Sequence, residues 1–278
     1  MRCAPRLLAV AFLLGLGGSL AGATSAATVA GPSARAAPLA QAHPGPSADP
    51  WRPHVRAAKI YASRRAGVVS FALRTERRLY GFRARRTVAS ASVVKAMLMV
   101  TYLNSKPVRR RPLSRVDRNL IGPMIRRSDN GRATLVRNLV GNEALRRLAR
   151  RVGMRDFETA ASWGETRITA ADQTKLFLRL DRFVVRRHRR TALKLLGSIV
   201  PAQRWGLARA TPPGWTLYFK GGWVEGIEHQ VGLLRRGGRR LAVAVLTTGS
   251  PRSAYGRETQ RGVARRLLRP LVHDAARR

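Results

Sequence analysis

From Val93 to Leu103 the chain is almost continuously apolar, and the only charge in the run is Lys95. A run of this length and apolarity predicts a buried helix. Ser92 stands three residues before Lys95, one turn away on the same face. A lysine buried there sheds its hydration, which lowers its pKa and lets it act as a base toward a neighbouring hydroxyl. The stretch therefore predicts a helix at the centre of the core and an activated nucleophile, Ser92, at its start.

A chain of 278 residues suffices for one large domain or two lobes with a substantial core. Its formal net charge is +40, and only six of the 54 basic residues are lysines. Such an excess attracts anionic partners: nucleic acid, acidic wall polymers or an anionic membrane surface. The arginines are scattered through every segment and form no aromatic-interleaved basic motif, which favours a generally basic secreted protein over specific nucleic-acid binding. Arginine does not readily give up its proton, whereas a buried lysine can. Lys95 and Lys220 fall in the motifs described below; Lys59, Lys106, Lys175 and Lys194 have no such setting.

The N-terminus reads as a signal peptide over residues 1–26. Met1 to Arg6 is a short basic start, Leu7 to Leu20 an apolar run softened by glycine, and Ala21–Ala23 and Thr24–Ala26 offer small-residue cleavage sites. The run is short and glycine-rich for an uncleaved membrane anchor. Cys3, the single cysteine, would leave with the signal, so the mature chain is expected to have no disulfide. Residues 27–50 form an Ala/Pro-rich linker, and the folded domain is expected over 51–278.

Within that domain a first helix is expected through Tyr61. Strands follow over 67–73, with Val69, Phe71 and Leu73 on one face, and over 79–84. From Pro107 to Val200 the spacing is helical, with segments near 114–126, 132–140, 142–152, 170–185 and 190–199. Gly153 suits a C-cap and Thr169 an N-cap. Strands return over 215–220, 229–235 and 240–248, the last two joined at Gly237-Gly238, and a helix over 253–269 closes the chain with Val263, Leu267 and Leu271 inward. This order implies an α+β fold: a five-stranded antiparallel sheet flanked by terminal helices, with an inserted all-helical lobe.

Three short motifs occur in order: Ser92-Val-Val-Lys95, Ser128-Asp129-Asn130 and Lys220-Gly221-Gly222. Each alone has an ordinary explanation, such as a helix cap for the second and a strand ending in a turn for the third. Here residues 51–278 resemble the penicillin-recognising serine hydrolases, most closely class A-type β-lactamases, whose signatures are S-x-x-K, S-D-N and K-T-G. The resemblance implies that Ser92 attacks an acyl carbonyl with help from Lys95, and that Ser128 relays a proton to the leaving nitrogen. It gives Asn130 the substrate amide and Lys220 the substrate carboxylate. The backbone N–H groups of Ser92 and Trp223, beside Gly222, would form the oxyanion hole. It implies an extracytoplasmic serine hydrolase acting on a β-lactam or a peptidoglycan-like D-Ala-D-Ala amide. Lys95 and Lys220, as neighbours, would lower each other's pKa.

Two departures stand out. The third motif is Lys-Gly-Gly, without the threonine hydroxyl, and bulky Trp223 follows it. The loop before Glu165 is short and lacks the Glu-x-x-x-Asn pattern that positions a deacylating water. Glu158 and Glu165 are the nearby carboxylates; Glu165 is the candidate base, set against an ion pair with Arg167. A slow-turnover penicillin-binding or non-hydrolysing wall-associated protein is thus the alternative, with an arginine-rich polyanion binder a third reading. His43, His54, His188, His229 and His273 have no metal-ligand spacing and read as surface or strand residues, and no metal or other cofactor is expected.

Overall fold

The computed structural model describes residues 52–276, with side chains to Val272; the expected signal peptide and linker lie outside the described residues. In chain order the first elements are α1 (Val55–Ser63), β1 (Val68–Arg74), β2 (Leu79–Phe82), β3 (Val88–Ala89), a 3-10 turn (Ala91–Val94) and α2 (Lys95–Leu103). Then come α3 (Lys106–Arg109), α4 (Arg115–Arg126), α5 (Asn130–Val152), a 3-10 turn (Trp163–Glu165), β4 (Arg167–Ile168), α6 (Ala170–Leu178), α7 (Leu180–Phe183) and α8 (Arg189–Gly197). β5 (Thr216–Val224), β6 (Ile227–Arg236), β7 (Arg239–Thr248) and α9 (Ser253–Ala276) complete the domain.

The five long strands make one antiparallel sheet in the order β2-β1-β7-β6-β5, and β3 pairs with β4 separately. α1 and α9 lie together on one face of the sheet, and α6 and the first 3-10 turn pack against the other. α2 packs on α5 and α4, which form the helical lobe. The expected five-stranded α+β architecture is the one observed.

Sequence periodicity explains much of the packing. Ala58 and Ala62, one turn apart on α1, are buried against α9, where a side chain on Gly262 would stand 2.3 Å from the Tyr61 ring. β1 is buried on both faces, since it is covered by helices on each side; only its alternate apolar residues were expected inward. All residues of α2 are buried. Burial of each large apolar side chain contributes about 1.5–3 kcal/mol, which makes this helix a main source of cohesion. Thr101 bonds back to Met97 O and Leu98 O, and Tyr102 Oη donates to Asp117 Oδ1 at 2.7 Å. Lys95 is the remaining polar group of α2, and its partners lie in the site.

Several boundaries differ from expectation. α5 spans both helices expected over 132–152, broken at Gly141 (φ 72°), while Gly153 (φ 74°) is the left-handed cap foreseen. The 170–185 segment divides into α6 and α7, because Arg179 leaves helical geometry at φ −126°. α9 continues through Pro270, which removes one backbone donor; burial of Leu267, Leu268 and Leu271 holds the helix together. β5 does not end at Lys220 but runs four residues further, carrying Gly221, Gly222 and Trp223 within the sheet. His188 is buried rather than on the surface, its Nε2 lying 3.1 Å from Val108 O.

Candidate active site

Ser92 is the second residue of the 3-10 turn and Lys95 the first of α2. The chain enters the turn through Ala91, which adopts φ 44°, an unfavourable value for a residue with a Cβ. The surroundings hold it there. Ser90 N donates to Thr166 O at 2.8 Å, and the Ser90 hydroxyl lies within 3.0–3.4 Å of the carbonyls of Ala91, Gly164 and Trp163. From β6, fully buried His229 donates through Nε2 to Ala89 O (3.0 Å), and its Nδ1 faces the Thr247 N–H at 3.2 Å. Burial lowers the His229 pKa to about 4, against the opposing pull of the Glu228 and Ala89 carbonyls, so the ring is neutral. Ser92 N–H, in the first turn of a helix, has no intrahelical acceptor.

Ser128, Asp129 and Asn130 connect α4 to α5. Asp129 caps α5 by accepting from Arg132 N at 2.9 Å, the structural role its sequence position suggested. Ser128 does more. It stands at φ 61°, a left-handed value that costs a non-glycine residue on the order of 1 kcal/mol or more. That conformation turns both its carbonyl and its hydroxyl toward Lys95, whose Nζ lies 2.6 Å from the carbonyl oxygen and 3.3 Å from Oγ. Lys95 Nζ also donates to Asn130 Oδ1 at 2.6 Å. From β5, Lys220 Nζ reaches Ser128 Oγ at 3.0 Å and Gly221 O at 2.8 Å. The Ser92 hydroxyl makes no hydrogen bond among the described residues.

Both ammonium groups are fully buried. Desolvation lowers the Lys95 pKa to about 7, with Asp129 opposing, which is the cause the apolar run had suggested; the further lowering expected from Lys220 is not among the causes. Lys220 is also held well below the ordinary lysine value, by burial first and by Lys95 second. Lys95 can therefore exist neutral near physiological pH, which arginine could not.

β5 lies hard against the nucleophile turn. A Cβ on Gly222 would stand 2.7 Å from Ser92 N, 2.9 Å from Val93 N and 3.0 Å from Ser90 O. Only glycine allows this approach. Trp223 follows, half-buried, with its ring edge-on to Trp205 at 6.1 Å. A cleft of about 450 Å³ opens here, lined by Ser92, Asn130, Trp163, Glu165, Trp223 and Val224 among others. A larger groove of about 810 Å³ lies between α1 and α9 and contains none of these groups.

Glu165 lines the cleft but is exposed, and its side chain makes no hydrogen bond or ion pair among the described residues. The ion pair expected between Glu165 and Arg167 does not form; the Arg167 backbone instead bridges to Glu158, donating to its carbonyl at 2.8 Å. The group that faces Lys95 from this loop is Trp163. Its ring centroid is 4.6 Å from Lys95 Nζ, and its Nε1 donates to Thr134 Oγ1 at 3.1 Å.

The chain matches the beta-lactamase enzyme family over residues 116–271, more than half its length. It belongs to that family. Three solved structures extend the likeness at the level of fold. A β-lactamase from Sphaerobacter thermophilus is 21% identical, with 78% of this chain and 96% of that one covered at a TM-score of 0.70. A class A β-lactamase from Mycobacterium abscessus is 20% identical (78% and 99% covered, TM-score 0.68). A mutant of PBP-A, in an acyl-enzyme complex with penicillin G, is 14% identical (81% and 96% covered, TM-score 0.67). No curated protein matches the chain significantly.

Within this β-lactamase-family protein the structure brings together Ser92, Lys95, Ser128, Asn130, Lys220, Gly222 and Trp223, and leaves Glu165 at the cleft rim. Trp163, His229 and Ser90 were not singled out from the sequence. A lone tryptophan in a short polar loop was the one available signal for Trp163, and nothing in the sequence says where its ring folds.

Proposed function

We propose that this protein is an extracytoplasmic serine hydrolase that attacks a β-lactam or D-Ala-D-Ala-like amide through an acyl-Ser92 intermediate. The observation that carries this reading is the convergence on Ser128 of two buried lysines, one of which, Lys95, stands one turn after Ser92. Neutral Lys95 takes the Ser92 proton as Oγ bonds to the substrate carbonyl carbon. The oxyanion that develops is met by the Ser92 and Trp223 backbone N–H groups. As the C–N bond breaks, Ser128 gives its hydroxyl proton to the leaving nitrogen, and a proton from Lys95 or Lys220 restores it. Asn130, whose Oδ1 already binds Lys95, has its amide nitrogen free for a substrate carbonyl. Lys220 draws a substrate carboxylate. Hydrolysis then requires water to attack the ester, with Glu165 as the carboxylate at hand. The basic N-terminal leader supports export, and the +40 charge suits an anionic wall or membrane surface.

A second reading, a slow-turnover penicillin-binding or non-hydrolysing wall-associated protein, is favoured by one observation: Glu165 has no contact with Lys95. Incubation with a labelled penicillin followed by intact mass tests the first step of both enzymatic readings. We expect one adduct per chain on the wild type and none on Ser92→Ala. No adduct, together with no turnover of any amide or ester, would overturn the acyl-enzyme reading and leave only a binding role.

A further inference from the structure

Resting on the acyl-Ser92 reading, we propose that Trp163 is the residue that sets the lifetime of the acyl-enzyme, by occupying with its indole ring the space beside Lys95 in which a hydrolytic water would be activated.

The geometry is specific. Deacylation requires a water oxygen to bond to the acyl carbon while a base takes one of its protons; the bond from that carbon to Ser92 Oγ then breaks and Oγ regains a proton. In the site a base for that water must stand near Ser92, and Lys95 is the buried amine there. Lys95 Nζ is already surrounded by Ser128 O, Ser128 Oγ and Asn130 Oδ1. On the side of the loop before β4 it is covered by the Trp163 ring at 4.6 Å, an aromatic face that attracts an ammonium and carries no carboxylate or amine to take a proton from water. With that cover Lys95 has no solvent exposure, although the cleft beside it is open.

Trp163 is held at two points, one on the ring and one on its backbone. Its Nε1 donates to Thr134 Oγ1 on α5, and its carbonyl lies 3.4 Å from the Ser90 hydroxyl beside the nucleophile turn. Glu165, two residues on, is exposed at the rim, and its side chain makes no hydrogen bond that would hold it beside Lys95. The same cleft is lined by Trp223, Val224 and Ile227, which leaves room for a substrate beside Ser92. The arrangement therefore admits a substrate and forms the ester, but excludes water from the place where it would be activated.

The test is the decay of a preformed penicillin adduct, followed by intact mass after removal of excess label, in the wild type, Trp163→Phe, Trp163→Ala and Thr134→Val. Reading the decay of an existing adduct separates this effect from any change in its rate of formation. We expect a half-life of hours in the wild type, at least tenfold shorter in Trp163→Ala, and largely restored in Trp163→Phe, which keeps a ring over Lys95. Thr134→Val, which removes only the acceptor of the indole N–H, should shorten it at least threefold. A wild-type half-life of seconds, or a Trp163→Ala half-life within twofold of wild type, overturns the inference while leaving acyl-Ser92 intact. If Trp163→Ala fails to fold, an unchanged half-life in Thr134→Val overturns it. If the wild type forms no adduct at all, the reading of Ser92 as nucleophile falls, and this inference with it.

Discussion

A side chain on Gly222 would place its first carbon 2.7 Å from the backbone nitrogen of Ser92. The third motif and the first are thus in direct backbone contact, strand against helix turn, although 130 residues separate them in the chain. All three atoms nearest that carbon belong to backbone, so no rotamer change relieves the overlap, and β5 must withdraw from the turn. Gly222→Ala should then displace the Trp223 N–H from the oxyanion. The expected result is a loss of roughly 10²-fold in the acylation rate, measured by stopped-flow with a fluorescent penicillin. Wild-type acylation in Gly222→Ala would refute the placement.

Lys95 acts as a base only when neutral, and its pKa is lowered to about 7. The acylation rate should therefore fall about tenfold per pH unit below 7 and level off above it. Lys95→Arg keeps the charge and length but cannot supply the neutral form. It should lose roughly 10²–10⁴-fold of the rate and the inflection near pH 7 along with it. A pH–rate profile of both proteins decides the matter.

Gly221 stands where the related motif has threonine. A Cβ there would meet Trp205 Cζ2 at 3.6 Å and Gln230 Cγ at 3.7 Å, ordinary contact distances. Gly221→Thr should therefore fold normally and return a hydroxyl to the cleft side of Lys220. One hydrogen bond to a carboxylate contributes about 1.5 kcal/mol, so acylation by carboxylate-bearing β-lactams should rise roughly tenfold. The same substitution should leave acylation by an analogue without the carboxylate unchanged.

His229 is neutral in the fold, with a pKa of about 4 against an ordinary value of 6.5. Its folded pKa is depressed, so the unfolded chain binds the proton more readily. The stabilisation is complete above pH 6.5 and is lost as pH falls from 6.5 toward 4; the shift corresponds to about 3 kcal/mol. His229→Gln should be less stable than wild type at pH 7.5 and should lose less stability on acidification to pH 4.5. Urea unfolding at the two pH values gives the comparison. Equal slopes in both proteins would place the acid sensitivity elsewhere.

Much of the fold was legible because its signals are local. The alternation in 215–220, the Gly237-Gly238 turn and the left-handed cap at Gly153 follow from neighbouring residues. Strand ends and helix breaks were less legible. Gly221-Gly222 reads as a turn by composition, yet pairing with Gln230 and His229 on β6 holds both glycines in the strand. The division of 170–185 at Arg179 likewise carries no Gly or Pro to announce it.

The apolar run around Lys95 determined, by itself, that a cation would be buried beside Ser92, because no helix so apolar can keep its one charge in water. The order of the three motifs narrowed the chemistry further. Tertiary structure alone decided what surrounds that charge. Ser128 meets Lys95 through a left-handed backbone that a serine adopts only under the constraint of its neighbours, and Gly222 is required by the close approach of a distant strand. Trp163 covers Lys95 because Thr134 and Ser90, from separate elements, hold its loop. These contacts join residues far apart in the chain, and composition and periodicity describe only residues that are near one another.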